Sequence, residues 1–195
     1  MPNLPISQLP DISGSTLGYL GPDGEFAVAQ DGVTYKAKLS QIHPTGFWGS
    51  FVSLENQYVT STTTAYSMTA DTQTSGNGVI VSADTRFVVE YAGTYNVQFS
   101  SQIESTGGGN TQTMDIWLAI NGDNVPYSNT QVVGNSNNGR SVAAWNFVEP
   151  MNAGDYFELK FKVSDIRLGF AYDAGPFINP TRPDIPSVIV TVTQV

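Results

Sequence analysis

Tyr95, Val97, Phe99 and Ile103 are apolar, and Asn96, Gln98, Ser100 and Gln102 between them are polar. A period of two marks a strand with one face on a core and the other in water. Phe87, Val89 and Tyr91 alternate in the same way until Ala92 and Gly93 interrupt the run, and glycine serves where a chain turns tightly or bulges. Residues 87–103 therefore predict strand, corner, strand. Further strands are expected at 51–55, 79–81, 114–120, 141–148 and 156–163. Met114, Ile116, Leu118 and Ile120 share one face there, as do Ala143, Trp145 and Phe147, and Phe157, Leu159, Phe161 and Val163. Residues 187–195 are almost continuously β-branched, as in a strand covered on both faces. The Thr/Ser-rich stretch 60–78 predicts loops around one strand near 66–70, and a short strand is expected at 124–127 before a loop at 134–139. No helical period is sustained anywhere, and many strands about ten residues apart argue for an all-β sandwich or barrel.

The first part of the chain follows different rules. Residues 25–30 and 33–39 flank Asp31 and Gly32, and Asp-Gly between two alternating runs is a strong hairpin signal. Val33, Tyr35, Ala37 and Leu39 would share one face. A lone two-stranded hairpin is marginal in water, so this one needs a partner surface. Ahead of it, Pro2, Pro5 and Pro10 exclude helix and central strand. Leu4, Ile6, Leu9, Ile12 and Leu17 are spaced along this proline-broken segment. Alone they could not offset the entropy of being ordered, which predicts an extended arm lying in a groove of another surface. The segment 41–49, with Pro44, Gly46 and Gly49, reads as a hinge. The expected organisation is an arm and hairpin over 1–46 and a β-domain over 47–195.

Charge narrows the partners. With 17 acidic against 8 basic side chains the formal charge is −9, which repels phosphate backbones and anionic lipid. Nucleic acid and membrane are not expected partners. The chain has no cysteine, so a disulfide framework and a thiolate metal site are both excluded. The opening MPNLPISQLP lacks a basic n-region and an apolar h-region, and no apolar run approaches the ~18 residues of a membrane span. The expectation is synthesis and assembly inside a cell.

Candidate chemistry is sparse. The single histidine, His43, adjoins Pro44 in the hinge, where a solvated or packing role is expected rather than that of a triad base. Asp155 with Glu158, and Asp165 with Asp173, are near in sequence, but scattered acids on an acidic surface read as solvated side chains rather than an acid–base pair. Asp123 and Asn124 offer oxygens for calcium without the spacing of an EF-hand loop; calcium is a minor alternative and no cofactor is expected. Gly107 to Gly109 opens no helix and lacks the lysine of a phosphate loop. Trp48, Trp117 and Trp145 could line a sugar groove, but Trp117 and Trp145 lie in predicted strands and are expected in the core or at a subunit interface. The chemistry predicts no enzyme.

Several short motifs recur in an order that resembles C1q/TNF-like domains. They are Ala92-Gly93-x-Tyr95 before a strand, Asn121-Gly122 after the Trp117 strand, Ala153-Gly154-Asp155-Tyr156 leading into another, and a β-branched strand at the end. The resemblance spans about 47–195 and implies a jelly roll that assembles as a tight trimer, with Tyr95, Phe99, Trp117, Trp145 and Phe157 as core or trimer-interface aromatics. Some members of that family hold calcium on the trimer axis. No collagen-like Gly-x-y tract precedes the domain, so a collagen-stalk role does not carry over. The first part, with Ile6-x-x-Leu9-Pro10, Ala27-Val28-x-Gln30-x-Gly32-x-Thr34-x-Lys36 and Leu39-Ser40-x-Ile42, is similar to virion-docking segments of bacteriophage fibre and decoration proteins. Together the two resemblances imply a homotrimeric phage virion protein, a capsid decoration (cement) or head-fibre protein. It would dock on the major capsid protein or another virion component through Leu4, Ile6, Leu9, Ile12 and Leu17. The alternative is a tail-fibre or tail-tip adhesin that recognises a host glycan or protein through loops at 107–113 and 134–139.

Overall fold

The structure, a computed structural model, describes residues 25–30, 33–38, 46–108, 111–134 and 139–195. Leu4, Ile6, Leu9, Ile12, Leu17 and His43 lie outside the described residues, as do the middles of the loops at 107–113 and 134–139. The chain divides into two compact units, Met1–Gly46 and Phe47–Val195. In the first, strands β1 (Glu25–Gln30) and β2 (Val33–Lys38) pair antiparallel from Glu25↔Lys38 to Gln30↔Val33, the two-residue loop register that Asp-Gly predicts. Val33 and Tyr35 on it are exposed.

The second unit is an all-β sandwich of jelly-roll type. One sheet runs in the order β12 (Arg140–Met151), β8 (Gly93–Ser105), β15 (Val188–Gln194), β3 (Trp48–Ser53), β5 (Thr72–Asn77), with β14 (Leu168–Phe170) also on β8. The other runs β10 (Asp123–Asn124), β9 (Gln112–Ile120), β13 (Tyr156–Val163), β7 (Arg86–Val89), β6 (Val79–Ser82). Strand β11 (Thr130–Gly134) adds to β9, and β4 (Tyr66–Ser67) to β13. All the pairings are antiparallel, and the chain repeatedly crosses between the sheets, as two interleaved Greek keys require. Among the described residues there is no helix.

The corner at Ala92 and Gly93 is one of these crossings. Strand β7 ends in the seven-stranded sheet and β8 begins in the six-stranded one. Tyr95, fully buried two residues into β8, donates its hydroxyl hydrogen bond to the carbonyl of Tyr91 at 2.7 Å. The ring fills the core while the oxygen satisfies a backbone group that the corner would leave unpaired. Burial also pushes the Tyr95 phenol above its ordinary pKa.

Inward-facing residues of both sheets form one core. Phe51 of one sheet meets Phe87 of the other edge to face at 5.0 Å, and Phe87 stacks on Phe157 at 4.9 Å. Phe161 and Phe170 make a second contact at 4.8 Å. Each such ring contributes about 1.5–3 kcal/mol by leaving water.

Two local expectations need correction. Strand β5 falls in the stretch 60–78 read as loop outside 66–70, while the predicted strand at 66–70 shrinks to β4. All six β5 residues are exposed, so no apolar alternation is needed, and backbone pairing with β3 makes the strand. The strand expected at 124–127 stops at Asn124, because Pro126 lacks a donor and Tyr127 takes φ 64°. Trp145 is 55% exposed despite keeping phase with buried Ala143 and Phe147. It lies opposite Phe99 on β12, the outermost strand of its sheet, where only one neighbouring strand flanks it.

Candidate functional site

The outward face of the six-stranded sheet stands apart from the rest of the molecule. Its cross-strand rows follow from the register. Val148, Asn96, Thr193, Trp48 and Asn77 form one; Asn146, Gln98, Thr191, Ser50 and Ser75 the next; Ala144, Ser100, Ile189, Val52 and Thr72 a third. Val142 with Gln102 and Pro150 with Thr94 extend it at either end. None of these residues is charged, in a chain with 17 acidic and 8 basic side chains. At the far end of this face Arg140 and Glu104 pair at 2.8 Å, and Asp173 also pairs with Arg140. Val142, Val148, Ile189 and Trp48 are exposed on it. An open depression of about 380 Å³ lies among Gln98, Ser100, Ala144, Asn146, Ile189 and Thr191.

The other outward face is different. Asp115, Glu158, Lys160 and Lys162 come to it from β9 and β13. Glu158 is buried there: Ser67 donates to its Oε1 at 2.8 Å, while Lys160 Nζ lies 3.3 Å from its Oε2 and 2.8 Å from Ser67 Oγ. The serine's proton is committed to a carboxylate and its oxygen to an ammonium. That geometry fastens β4 onto β13 rather than activating a nucleophile.

The five aromatics singled out in the sequence separate. Tyr95, Phe99 and Phe157 are in the core. Trp117 is half-buried and points outward from β9, in antiphase to buried Met114, Ile116 and Leu118, and its Nε1–H donates to Asn124 Oδ1 at 2.7 Å. Trp145 sits at the open edge beside Val132 and Thr130, over a groove of about 240 Å³.

No protein-family model matches the chain, and no curated protein matches its sequence.

The carboxylates near one another in sequence have separate partners. Asp155 accepts from Asn121 Nδ2 at 2.9 Å and from the Asn152 amide at 2.7 Å, and Asn121 Oδ1 accepts from the Tyr156 amide at 3.1 Å. The Asn121-Gly122 and Ala153-Gly154-Asp155 motifs, whose bonded residues are 34 apart in sequence, thus lock to each other at one end of the sandwich. These hydrogen bonds, that from Asn121 foremost, hold the Asp155 carboxyl below its ordinary pKa. Asp165 is held down to about 2 by the Arg167 guanidinium and backbone amide. Asp173 is lowered by Arg140. Asn124, a possible calcium ligand, uses its carbonyl oxygen on Trp117. Among the described residues no three His, Asp or Glu side chains gather as a metal site.

Sequence reading missed the uncharged face because it belongs to residues from five strands that meet only through the register. A signal was present: the polar half of 94–103 is Thr, Asn, Gln and Ser throughout, where a strand merely facing water would also carry Lys or Glu.

Proposed function

We propose that this chain is a bacteriophage virion structural protein, a decoration or head-fibre protein. In this reading three copies associate through the uncharged face of the six-stranded sheet, and the first unit attaches them to the capsid or another virion component. The charge-free face is the observation that carries the assembly step. Copies that each bear −9 repel one another, and contact is least opposed where neither side brings a charge that must be desolvated. Exposed Trp145 on the β12 edge, beside a face with Ile189 and Val148, gives a neighbouring copy an aromatic anchor. An edge of one subunit against the face of the next is a head-to-tail contact, which closes into a ring when the rotation fits. The number three comes from the C1q/TNF resemblance alone.

The mechanism is mass action rather than bond chemistry. Where a single arm binds weakly, joining three raises the effective concentration of the remaining two, with a gain of ~100-fold or more. The docking role of Leu4, Ile6, Leu9, Ile12 and Leu17 comes from their spacing and the phage-segment resemblance.

Sedimentation at low micromolar concentration should give three times 20.9 kDa, and Ser100→Glu, which places a charge in the middle of the face, should give a folded monomer. A native monomer would overturn the assembly step. A chain starting at Phe47 should stay trimeric and fail to bind particles that the full chain decorates; equal decoration by both would overturn the docking role.

A further inference from the structure

We propose that the turn following β10 presents a saccharide-binding site, with the rings of Tyr127 and Trp117 as its platform and Asp115, Asn124 and Lys162 as its polar rim. The Ser128 amide donates to the Val125 carbonyl at 3.4 Å, closing a four-residue turn with Pro126 second and Tyr127 third. Tyr127 has φ 64°. Proline second and positive φ third is the pattern of a type II turn, whose third position favours glycine because a side chain there is strained.

Among the described residues nothing compensates that tyrosine. Its relative exposure is 106%, so the ring gains no burial. The turn beneath it is nevertheless held firmly. Buried Ser128 donates its hydroxyl to the Val125 carbonyl at 2.8 Å and accepts from the Leu118 amide at 3.1 Å. The Val125 amide donates to the Leu118 carbonyl at 2.9 Å. Strained residues persist where their surroundings over-determine them, and such residues cluster at binding sites. The chain holds an aromatic ring in water at a position where glycine would fit more easily, which points to a contact outside the molecule.

The surroundings specify the ligand chemistry. Trp117 has its indole fixed by Asn124. Asp115, two residues earlier on the same face of β9, is oriented by Gln131 Nε2 at 2.9 Å, and Lys162 stands opposite it across the β9–β13 register. These groups, with Val125 and Asn129, line an open cavity of about 320 Å³, within the range of about 300–1,000 Å³ typical of small-ligand clefts. Two aromatic faces beside a carboxylate, amides and an ammonium suit a pyranose, which offers a C–H face to the rings and hydroxyls to the rim. Asp115 and Lys162 offset each other locally, and the net charge of −9 disfavours polyanions. The class is therefore a neutral saccharide. The site lies outside the uncharged face and does not rest on the assembly reading, but it would give the adhesin alternative a binding site other than the loops at 107–113 and 134–139.

The test is binding of the full-length protein to arrayed neutral oligosaccharides of glucose, galactose, mannose and N-acetylglucosamine, with heparin as the anionic comparison. At least one neutral series should be bound. Tyr127→Gly and Asp115→Asn should each weaken it about tenfold or more, the scale of a lost stacking or hydrogen-bonding contact. Tyr127→Gly should melt no lower than the parent. Tyr127→Asn, a residue at ease with positive φ, gives the same readout in a second background. The proposal is overturned if no neutral series binds, if only heparin binds, or if both Tyr127 variants fold and bind as the parent does. Loss of a protein partner rather than a sugar in these variants would also overturn it.

Discussion

At the scale of single residues, the corner between β7 and β8 rests on one hydroxyl. Tyr95→Phe keeps the buried ring but leaves the Tyr91 carbonyl without the 2.7 Å hydrogen bond. The expected loss is about 0.5–1.5 kcal/mol, read as a melting point lower by roughly 2–4 °C per kcal/mol for a chain of this size. Gly169 makes the opposite kind of demand. A Cβ there would lie 2.4 Å from the Tyr58 ring and 2.5 Å from the Gln57 carbonyl oxygen. The Gln57 and Phe170 backbones hydrogen-bond each other in both directions at this point, so the carbonyl has little room to yield. Gly169→Ala should therefore destabilise by about 1–3 kcal/mol, as overpacking does; an unchanged denaturant midpoint would mean that the bridge can open without loss. Tyr58 is held on its other side by Glu104, to which it donates at 2.7 Å, and burial followed by that carboxylate raises its pKa.

At the scale of elements, loops are tied down by carboxylates whose folded pKa values lie below the ordinary value of 3.8. Asp155 joins the β9–β10 and β12–β13 turns, Asp165 caps the turn before β14, and Asp173 anchors the segment beyond it to Arg140 on β12. A depressed carboxyl stabilises the fold above its unfolded pKa, and that contribution is lost as pH falls through the folded value. Stability should thus hold down to about pH 4 and drop between there and about pH 2, where Asp165 titrates. Thermal melts across that window check it, and Asp155→Asn should flatten part of the fall. How far such elements are legible in sequence depends on what each one buries. Strands β9, β13 and β15 were readable because each puts consecutive apolar residues on the core, and β8 because Tyr95, Val97 and Phe99 precede the buried Ser101 in its inward row. Strand β5 buries nothing and β14 is three residues long with all of them buried, so neither leaves a period to detect. The candidate sites were less legible still. Trp117 and Trp145 stood out, yet whether a strand tryptophan faces core, edge or water depends on which strand lies beside it. The meaning of Tyr127 depends on a backbone angle that composition does not reveal.

At the scale of the whole molecule, the two outward faces differ in charge, and association should report which one is used. A contact between uncharged rows loses nothing when salt rises, while screening relieves the repulsion among copies that each carry −9. The association we propose should therefore be unchanged or stronger between 0.05 and 1 M salt, roughly a fourfold change in screening length, as followed by sedimentation. Dissociation by salt would mean that an ionic surface, such as the one with Asp115, Glu158, Lys160 and Lys162, carries the contact instead.

The position of β15 also bears on how the protein is made. It lies between β8 and β3, pairing Val190 with both Phe99 and Phe51, and its amides and carbonyls close the middle of the sheet. Residues 188–194 are the last of these strands to leave the ribosome, so the six-stranded sheet cannot be completed while earlier parts of the chain wait. Contacts this distant in sequence form slowly. The delay has a use. A chain whose translation stops early has no central strand, leaves β8 and β3 without their shared partner, and cannot present the Ile189 and Thr191 rows of the uncharged face. Only copies whose sheet is complete can then offer the uncharged face to a neighbour.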